Sequence, residues 1–200
     1  MNRLAILGST GSVGTQALEV VRRFPDRLKV VALAAGRGGE RFDAQVAEFK
    51  PAHVASGADG AGALSQIAVQ PDVDVVLVAV PGIVGLSPTL AALEAGKIVA
   101  TANKETLVAA GHLVMAALAR SSRAALHPVD SEHSAIWQCL RGESPGSIRR
   151  IVITSSGGAL RDRPIAVLGS ATVAEVLAHP TWPAMGRKIT VDSATLMNKA

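Results

Sequence analysis

Aliphatic runs alternate with segments of helical periodicity from the start of the chain to about residue 129. The runs that predict β-strands are Arg3–Leu7, Leu28–Ala34, His53–Ala55, Val73–Val80, Ile98–Ala102 and Ala124–His127. Apolar residues recur at helical spacing in Ser12–Phe24, Phe42–Phe49, Pro88–Ala95 and Glu105–Ala119. Strands that alternate with helices in this way are typical of βαβ units. The pattern therefore predicts an α/β fold with a doubly wound parallel sheet.

The character of the chain changes after Val129, where polar residues, glycine, proline and histidine become frequent. We place a domain boundary there, between residues 1–129 and residues 130–200. In the second domain Ile148–Ile153 predicts a strand, and His179–Lys188 predicts a loop because it contains two prolines and a glycine. Leu196–Ala200 has the character of a helix interior without a cap, so we expect this α+β domain to be incomplete.

Composition limits the core and the partners. Hydrophobic residues make up 48% of the chain and aromatic residues only 2%, so the core must be aliphatic, as in parallel sheets covered by helices. The net charge of +4 comes without the aromatic residues that stack on nucleic acids, which argues against a nucleic-acid partner. Small ligands that carry phosphate explain the basic residues more simply. The alternative is a solvated basic face.

Cysteine content and hydropathy indicate the compartment. The single cysteine, Cys139, excludes a disulfide framework and a CxxC metal site, and its apolar helical surroundings predict a buried structural thiol. The apolar run Val73–Leu86 is interrupted and too short to cross a bilayer, and the N-terminal apolar run is too short for a signal peptide. We therefore expect a soluble cytoplasmic protein without a membrane partner.

A glycine-rich loop, Gly8-Ser9-Thr10-Gly11-Ser12-Val13-Gly14, follows the first predicted strand and opens the first predicted helix. In this context small residues let a diphosphate approach the backbone N–H groups of a helix N-terminus, where the helix dipole favours anions. The alternative is a tight strand-to-helix turn without a ligand. The loop indicates a Rossmann-type dinucleotide-binding domain.

The loop after the second strand indicates which dinucleotide is bound. Folds that bind NAD usually carry an acidic residue there, for the ribose 2′-hydroxyl. Here the segment Ala34–Gly39 contains no carboxylate, and Arg37 lies where a 2′-phosphate would bind. This favours NADPH. A surface arginine in a glycine-rich loop is the alternative.

Two further segments follow strands and carry charged residues. Asn103-Lys104-Glu105 would face the cofactor crevice and hold a substrate oxygen, or would be an ordinary helix start with Asn103 as the N-cap. Asp130 and Glu132 offer hard oxygen ligands, which suit Mg²⁺ or Mn²⁺. The alternative is that they are the first residues of a helix, where the helix dipole favours acidic side chains.

The second domain carries three segments that suit an anionic ligand. Thr154–Gly158 is a hydroxyl-rich glycine turn, either an anion-binding nest or a bare turn. Trp182 lies in the predicted loop, where it would form a lid or would pack the loop onto the core. The segment 191–199 offers serine, asparagine and lysine donors for phosphate, or forms a capped helix.

Taken together, these motifs resemble the 1-deoxy-D-xylulose 5-phosphate reductoisomerase family along essentially the whole chain. The motifs that carry the resemblance are GSTGSVG, AAGR, ANKETLV, HPVDSEHSAI, SSGGALR, and HPTW followed by MGRKITVDSATLMNK. The resemblance implies an enzyme that uses NADPH and a divalent cation, Mg²⁺ or Mn²⁺. It would convert 1-deoxy-D-xylulose 5-phosphate, a small phosphorylated sugar, into 2-C-methyl-D-erythritol 4-phosphate in the non-mevalonate route to isoprenoids. A homodimer is expected for this family.

The resemblance also implies roles for individual residues. The cofactor site would comprise Thr10, Gly11, Ser12, Val13, Gly36, Arg37, Gly38, Asn103, Glu105 and Gly186. The metal ligands would be Asp130 and Glu132. The substrate site would comprise Lys104, Ser131, Glu132, Ser156, His179, Trp182, Ser193, Asn198 and Lys199. Among these residues Lys104, Glu132 and His179 are expected to be catalytic.

The chain departs from the family pattern at several points. A third metal carboxylate and a C-terminal helical domain are expected in the family beyond the position of Ala200. The loop from Trp182 to Gly186 is one residue longer than usual, Gly38 stands where asparagine is common, and Leu160 stands where phenylalanine is common.

Two other hypotheses stay open from the sequence alone. One is a truncated, non-catalytic NADP-binding module. The other is a different NADP-dependent reductase, such as a semialdehyde dehydrogenase. Such a dehydrogenase needs a nucleophilic cysteine exposed at a helix start, and the position of Cys139 does not match that requirement.

Overall fold

The computed structural model describes residues 1–60, 62–183 and 186–197. The chain divides into two compact units, Met1–Asp130 and Ser131–Ala200. The division falls one residue after the boundary placed from the sequence.

A six-stranded parallel sheet forms the centre of the first unit. Its strands are β1 (Asn2–Leu7), β2 (Leu28–Ala34), β3 (His53–Ala55), β4 (Val75–Val78), β5 (Ile98–Thr101) and β6 (Ala125–Pro128). They lie in the order β3-β2-β1-β4-β5-β6, and every neighbouring pair is parallel. The sequence order reverses between β1 and β4, so this is the switch point of a doubly wound sheet. The predicted Rossmann-type fold is confirmed.

Five α-helices flank this sheet within the described residues of the first unit. They are α1 (Ser12–Arg23), α2 (Glu40–Phe49), α3 (Ala63–Ala68), α4 (Leu86–Glu94) and α5 (Lys104–Ala119). Short 3-10 helices cover Gly57–Asp59 and Gly82–Gly85. The sequence did not predict α3, because its six residues are too few for a clear helical period and no side chain caps its start at Gly62. The other four helices were predicted.

The core of the first unit is aliphatic, as composition predicted. Successive strand residues point to opposite faces of the sheet, so Ala5 and Leu7 join one apolar cluster and Ile6 joins the other. All three are completely buried. Among the described residues, Phe42 is the one buried aromatic side chain of this core, and the partly buried Phe49 packs against the same cluster. Both faces of the sheet are therefore covered, which is why its strands are continuous aliphatic runs.

An ion pair links two central strands at their amino ends, opposite the end of the sheet that carries the glycine loop. Arg3 on β1 donates to Asp74 just before β4, and Nη2 lies 2.7 Å from Oδ1. The side-chain hydrogen bond from Arg3 lowers the pKa of Asp74 to about 2. Nearby, Lys97 Nζ donates to the carbonyl oxygens of Gln70 and Val73. These contacts hold the starts of β1, β4 and β5 in register.

The second unit contains the helices α6 (Ser131–Cys139), α7 (Val173–Val176) and α8 (Arg187–Ala194), with 3-10 turns at Pro145–Ser147 and Ile165–Ser170. The prediction of a strand at Ile148–Ile153 was wrong, since the described residues of this unit contain no strand that could pair with it. None of the helices described in either unit has both the length and the apolar character needed to cross a membrane.

Cys139 also differs from its prediction. It ends α6 and is exposed, whereas the sequence predicted a buried thiol. The prediction failed because it assumed an apolar face on this helix, and none of the residues of α6 is fully buried. The thiol lies at the C-terminal end of a helix, opposite to the end whose dipole stabilises a thiolate. The exposed cysteine therefore lacks the helix-start position that a semialdehyde dehydrogenase needs.

Candidate functional site

The turn from β1 to α1 lies at the switch point of the sheet, where open α/β folds bind their ligands. Gly8 leaves β1 with a φ of +96°, a conformation that favours glycine. The backbone N–H groups of Gly8 and Ser9 both donate to the carbonyl oxygen of Ala34, at 2.8 and 2.9 Å. The turn is therefore fixed to the end of β2.

Close backbone packing explains the first and third glycines of the loop. A Cβ on Gly8 would lie 2.6 Å from the carbonyl oxygen of Ala79. A Cβ on Gly14 would lie 2.2 Å from the carbonyl oxygen of Gly8 and 2.6 Å from Cα of Ser9. Such distances are far inside van der Waals contact, so both positions require glycine. These glycines bring the start of α1 directly onto the end of β1.

The N-terminus of α1 has the features of an anion site. Its N-cap is Gly11, and no side chain caps it in the part of the chain that the structure describes. Ser12, the first residue of the helix, is exposed, while Arg22 and Arg23 occupy the last turn. Beside the loop, Ser9 Oγ is buried without a hydrogen-bond partner among the described residues. Uncapped N–H groups at the positive end of a helix suit a diphosphate.

The loop after β2 lies beside this turn, on the neighbouring strand. Gly36, Arg37 and Gly38 are all exposed. A Cβ on Gly36 or on Gly38 would meet no described atom within 4 Å. The structure therefore places the predicted cofactor residues of both loops at the carboxyl ends of β1 and β2.

Asn103 is the N-cap of α5, as the structural alternative predicted. Its Oδ1 accepts the N–H of Thr106 at 2.8 Å, and its Nδ2 donates to the carbonyl oxygens of Val80 and Gly82 at 2.6 and 2.7 Å. The residue is 1% exposed. The side chain is thus used to tie the loop after β4 to the start of α5, and this structural task adds to any cofactor contact.

Lys104 and Asp130 form an ion pair at the carboxyl ends of β5 and β6. Lys104 Nζ lies 3.1 Å from Asp130 Oδ2, and each side chain is about a fifth exposed. The sequence did not predict this contact, because the two residues are distant along the chain. In this structure the ammonium group of Lys104 therefore neutralises Asp130, one of the predicted metal ligands. A divalent ion bound to Asp130 would replace that ammonium group as the neutralising charge.

Glu132 and Ser131 lie in the first turn of α6, in the second unit. Ser131 Oγ donates to Glu132 Oε2 at 2.7 Å. In the described residues, no three His, Cys, Asp or Glu side chains are grouped closely enough to hold a metal ion. The donor chemistry of Asp130 and Glu132 still suits Mg²⁺ or Mn²⁺, because both offer carboxylate oxygens.

The second unit brings three predicted substrate residues together. Ser156 Oγ lies 3.1 Å from His179 Nε2 and 3.2 Å from Ser193 Oγ. His179 is 4% exposed and Ser193 is 5% exposed. On the other side of the ring, His179 Nδ1 accepts the backbone N–H groups of Thr181 and Trp182, at 3.1 and 2.9 Å. The imidazole thus links the hydroxyl pair to the loop that carries Trp182.

A close glycine contact positions this cluster. Gly158 has a φ of +69°, and a Cβ on it would lie 2.4 Å from Cα of Ala194. The turn that carries Ser156 therefore packs directly on the end of α8, next to Ser193. The hydroxyl-rich sequence predicted a turn here but did not predict this contact.

Other predicted residues of the second unit are less constrained. Trp182 is 58% exposed, so the alternative that it packs the loop onto the core does not hold for the described residues of this unit. Gly186 is exposed and is the N-cap of α8. Asn198 and Lys199 lie outside the described residues.

Family models match most of the chain. The model of the 1-deoxy-D-xylulose 5-phosphate reductoisomerase domain matches residues 4–61 and 56–111, and the model of the C-terminal domain of the same enzyme matches residues 126–200. The first match is split into two segments that overlap at residues 56–61.

Individual relatives agree with the family models. The 1-deoxy-D-xylulose 5-phosphate reductoisomerase of Symbiobacterium thermophilum is 51% identical over an alignment that covers 98% of this chain. The same enzyme of Pelotomaculum thermopropionicum is 46% identical over an alignment that covers 100% of this chain. The chain spans about half the length of these relatives, 56% in each case. The alignment with the Pelotomaculum protein extends over 219 positions, more than the 200 residues of this chain.

A solved structure gives the same result. A DOX-P reductoisomerase in complex with NADPH, fosmidomycin and magnesium is 37% identical, with a TM-score of 0.87 over 100% of this chain and 56% of its own. The sequence resemblance is thereby confirmed by family models, by relatives and by structure. The chain belongs to the 1-deoxy-D-xylulose 5-phosphate reductoisomerase family.

Proposed function

We propose that this chain forms the cofactor site and part of the catalytic site of an NADPH-dependent reductoisomerase. The enzyme uses Mg²⁺ or Mn²⁺ and converts 1-deoxy-D-xylulose 5-phosphate into 2-C-methyl-D-erythritol 4-phosphate for isoprenoid biosynthesis. The observation that carries the proposal is the uncapped N-terminus of α1, held by its glycine contacts at the switch point of a sheet of this family. We also propose a cytoplasmic homodimer, as expected for the family.

The residues of the first unit fit NADPH. Gly8 and Gly14 allow the start of α1 to pack against the end of β1, where its backbone N–H groups would bind a diphosphate. The hydroxyl groups of Thr10 and Ser12 would supplement them. Arg37 provides an exposed guanidinium at the end of β2, where a 2′-phosphate accepts charge-assisted hydrogen bonds. The cofactor site would be completed by Val13, Gly36, Gly38, Asn103, Glu105 and Gly186.

The bound groups and the protein have separate tasks. When bound, the cofactor supplies hydride and the divalent cation supplies polarisation of substrate oxygens. Asp130 and Glu132 would hold the cation, and the Lys104 ammonium group would then be released to contact a substrate oxygen. Ser131 would orient Glu132 through the hydrogen bond between them.

The cluster of Ser156, His179 and Ser193 would bind the phosphate group of the substrate, with Asn198 and Lys199. Because His179 Nδ1 accepts two N–H groups, its hydrogen must lie on Nε2, which then donates to Ser156 Oγ. Ser156 Oγ and Ser193 Oγ share one hydrogen bond, so one of the two hydroxyl groups donates to the other and the second can donate to an anion. The exposed indole of Trp182 would cover the ligand and exclude water.

Removing the Lys104 charge should strengthen metal binding. In Lys104→Met, Asp130 loses the ammonium group 3.1 Å away, which competes with the metal for the carboxylate, so we expect Mn²⁺ to bind about 3–10-fold more tightly. The measurement is a titration of free Mn²⁺ by electron paramagnetic resonance. Lys29→Met is the matched control, because it removes the same charge from an exposed position at the start of β2. Equal or weaker Mn²⁺ binding by Lys104→Met would contradict the proposed metal site.

The proposed reaction is tested by NADPH oxidation. We expect absorbance at about 340 nm, the usual nicotinamide band, to fall when 1-deoxy-D-xylulose 5-phosphate is added with Mg²⁺ or Mn²⁺, and not when a chelator is added. The assay should compare this chain with a chain extended to the length of its relatives. NADPH binding without turnover by either chain would favour a non-catalytic NADP-binding module.

A further inference from the structure

A glycine outside the predicted cofactor loops touches one of them. Gly57 begins the 3-10 turn that follows β3, and a Cβ on it would lie 2.3 Å from the carbonyl oxygen of Gly36. It would also lie 3.3 Å from the carbonyl carbon of Gly36. Gly36 directly precedes Arg37, the residue proposed to bind the 2′-phosphate. The backbone of this turn therefore limits where the loop after β2 can lie.

The turn itself is held in place by a capping box. The backbone N–H of Ser56 donates to Asp59 Oδ2 at 2.6 Å, and Ser56 Oγ lies 3.1 Å from the same atom. These hydrogen bonds, the backbone one first, lower the pKa of Asp59, so its carboxylate remains an acceptor at neutral pH. Next to the turn, the N–H of Ala35 donates to the carbonyl oxygen of Ala55 at 3.1 Å. The ladder between β2 and β3 thus continues up to the contact between Gly36 and Gly57.

The loop on the other side of this contact has few restraints. Cβ atoms added to Gly36 or Gly38 would meet no described atom within 4 Å. Glycines also have the greatest freedom of any residue in φ and ψ. The close approach of Gly57 to Gly36 therefore helps to fix the position of Arg37, which lies between Gly36 and Gly38.

The turn also coincides with a difference from the relatives. The match to the family model is split at residues 56–61, and the alignment with the Pelotomaculum protein needs more positions than this chain has residues. A shorter connection after β3 would place the Ser56–Asp59 turn where relatives have a longer segment. The contact with the cofactor loop therefore lies where the match to the family model is interrupted.

We propose that Gly57, held by the Ser56–Asp59 turn, is a positioning residue that sets the backbone of Gly36 and Arg37 and thereby the preference for NADPH over NADH. The inference rests on the proposed function, since it presupposes an NADPH site. Gly57 acts through Gly36 and contacts no reacting atom. Its effect should consequently appear in cofactor preference.

The test is the affinity of the purified full chain for NADPH and for NADH, measured by isothermal titration calorimetry. In Gly57→Ala the new methyl group would displace Gly36, so we expect NADPH to bind about tenfold more weakly because Arg37 is misplaced. NADH, which has no 2′-phosphate, should change by less than about twofold. Gly62→Ala is the matched control, since its Cβ would meet no described atom within 4 Å and its φ is −81°.

A second variant covers the case in which Gly57→Ala fails to fold. Asp59→Asn weakens the capping box without a backbone collision, and we expect a smaller loss of NADPH preference in the same direction. If both variants weaken NADPH and NADH equally, or leave both affinities unchanged, the inference is wrong. If the unmodified chain itself does not bind NADPH, the proposed function fails instead.

Discussion

Replacing Gly14 by alanine is expected to abolish NADPH binding and to lower the free energy of unfolding by roughly 3 kcal/mol. The new Cβ would lie 2.2 Å from the carbonyl oxygen of Gly8 and 2.6 Å from Cα of Ser9. Neither group can easily move. The N–H of Gly8 is bonded to Ala34, and a shift of Gly8 toward Ala79 is blocked by the close packing there. The start of α1 must therefore move away from the end of β1, which removes the anion site.

Urea denaturation and NADPH titration measure the two effects. Gly111→Ala is the control, because Gly111 lies in α5 and its Cβ would meet no described atom within 4 Å. That control should bind NADPH normally and gain up to about 1 kcal/mol, since alanine favours a helix over glycine. A Gly14→Ala protein with unchanged stability and unchanged NADPH affinity would contradict the packing described for this loop.

The second large effect is expected at His179. His179→Asn keeps an acceptor near the position of Nδ1 for the N–H groups of Thr181 and Trp182, but it loses the donor to Ser156. We expect kcat/KM for 1-deoxy-D-xylulose 5-phosphate to fall roughly 100-fold, because small misplacements of binding groups have effects of this size. Activity is lost because the Ser156 hydroxyl group no longer accepts the hydrogen bond from His179 that orients it.

A complementary variant separates the two sides of the imidazole. His179→Gln places its amide nearer the position of Nε2, so it should retain more activity than His179→Asn if the contact with Ser156 is what matters. The assay requires the protein extended to the length of its relatives, with metal and NADPH saturating. Thermal unfolding of each variant checks that the loop and α8 remain packed. Full activity of His179→Asn would show that the hydrogen bond to Ser156 has no role in the reaction.

Local patterns were sufficient for most elements of the first unit. Aliphatic runs and helical spacing predicted all six strands and four helices, with ends that differ by a few residues. The six-residue helix Ala63–Ala68 was missed because it is too short to show a period. The Ser56–Asp59 capping box does have a local signal, serine followed three residues later by an acid, which sequence reasoning overlooked.

Predictions in the second unit failed where a local pattern needed a partner. Ile148–Ile153 is apolar enough for a strand, but a strand is stable only when a neighbour pairs with its backbone. Cys139 lies in an apolar stretch, but burial depends on what packs against the helix. Neither outcome is visible in the residues themselves.

By itself, the sequence determined the doubly wound sheet, the glycine loop, the absence of a carboxylate after β2 and the family, because periodicity and short motifs record local backbone geometry. The tertiary structure decided which side chains meet. It paired Lys104 with Asp130, placed Ser156 between His179 and Ser193, and brought Gly57 against Gly36. These contacts join residues from 21 to 37 positions apart. Their distances depend on how strands and helices pack, which local spacing does not specify.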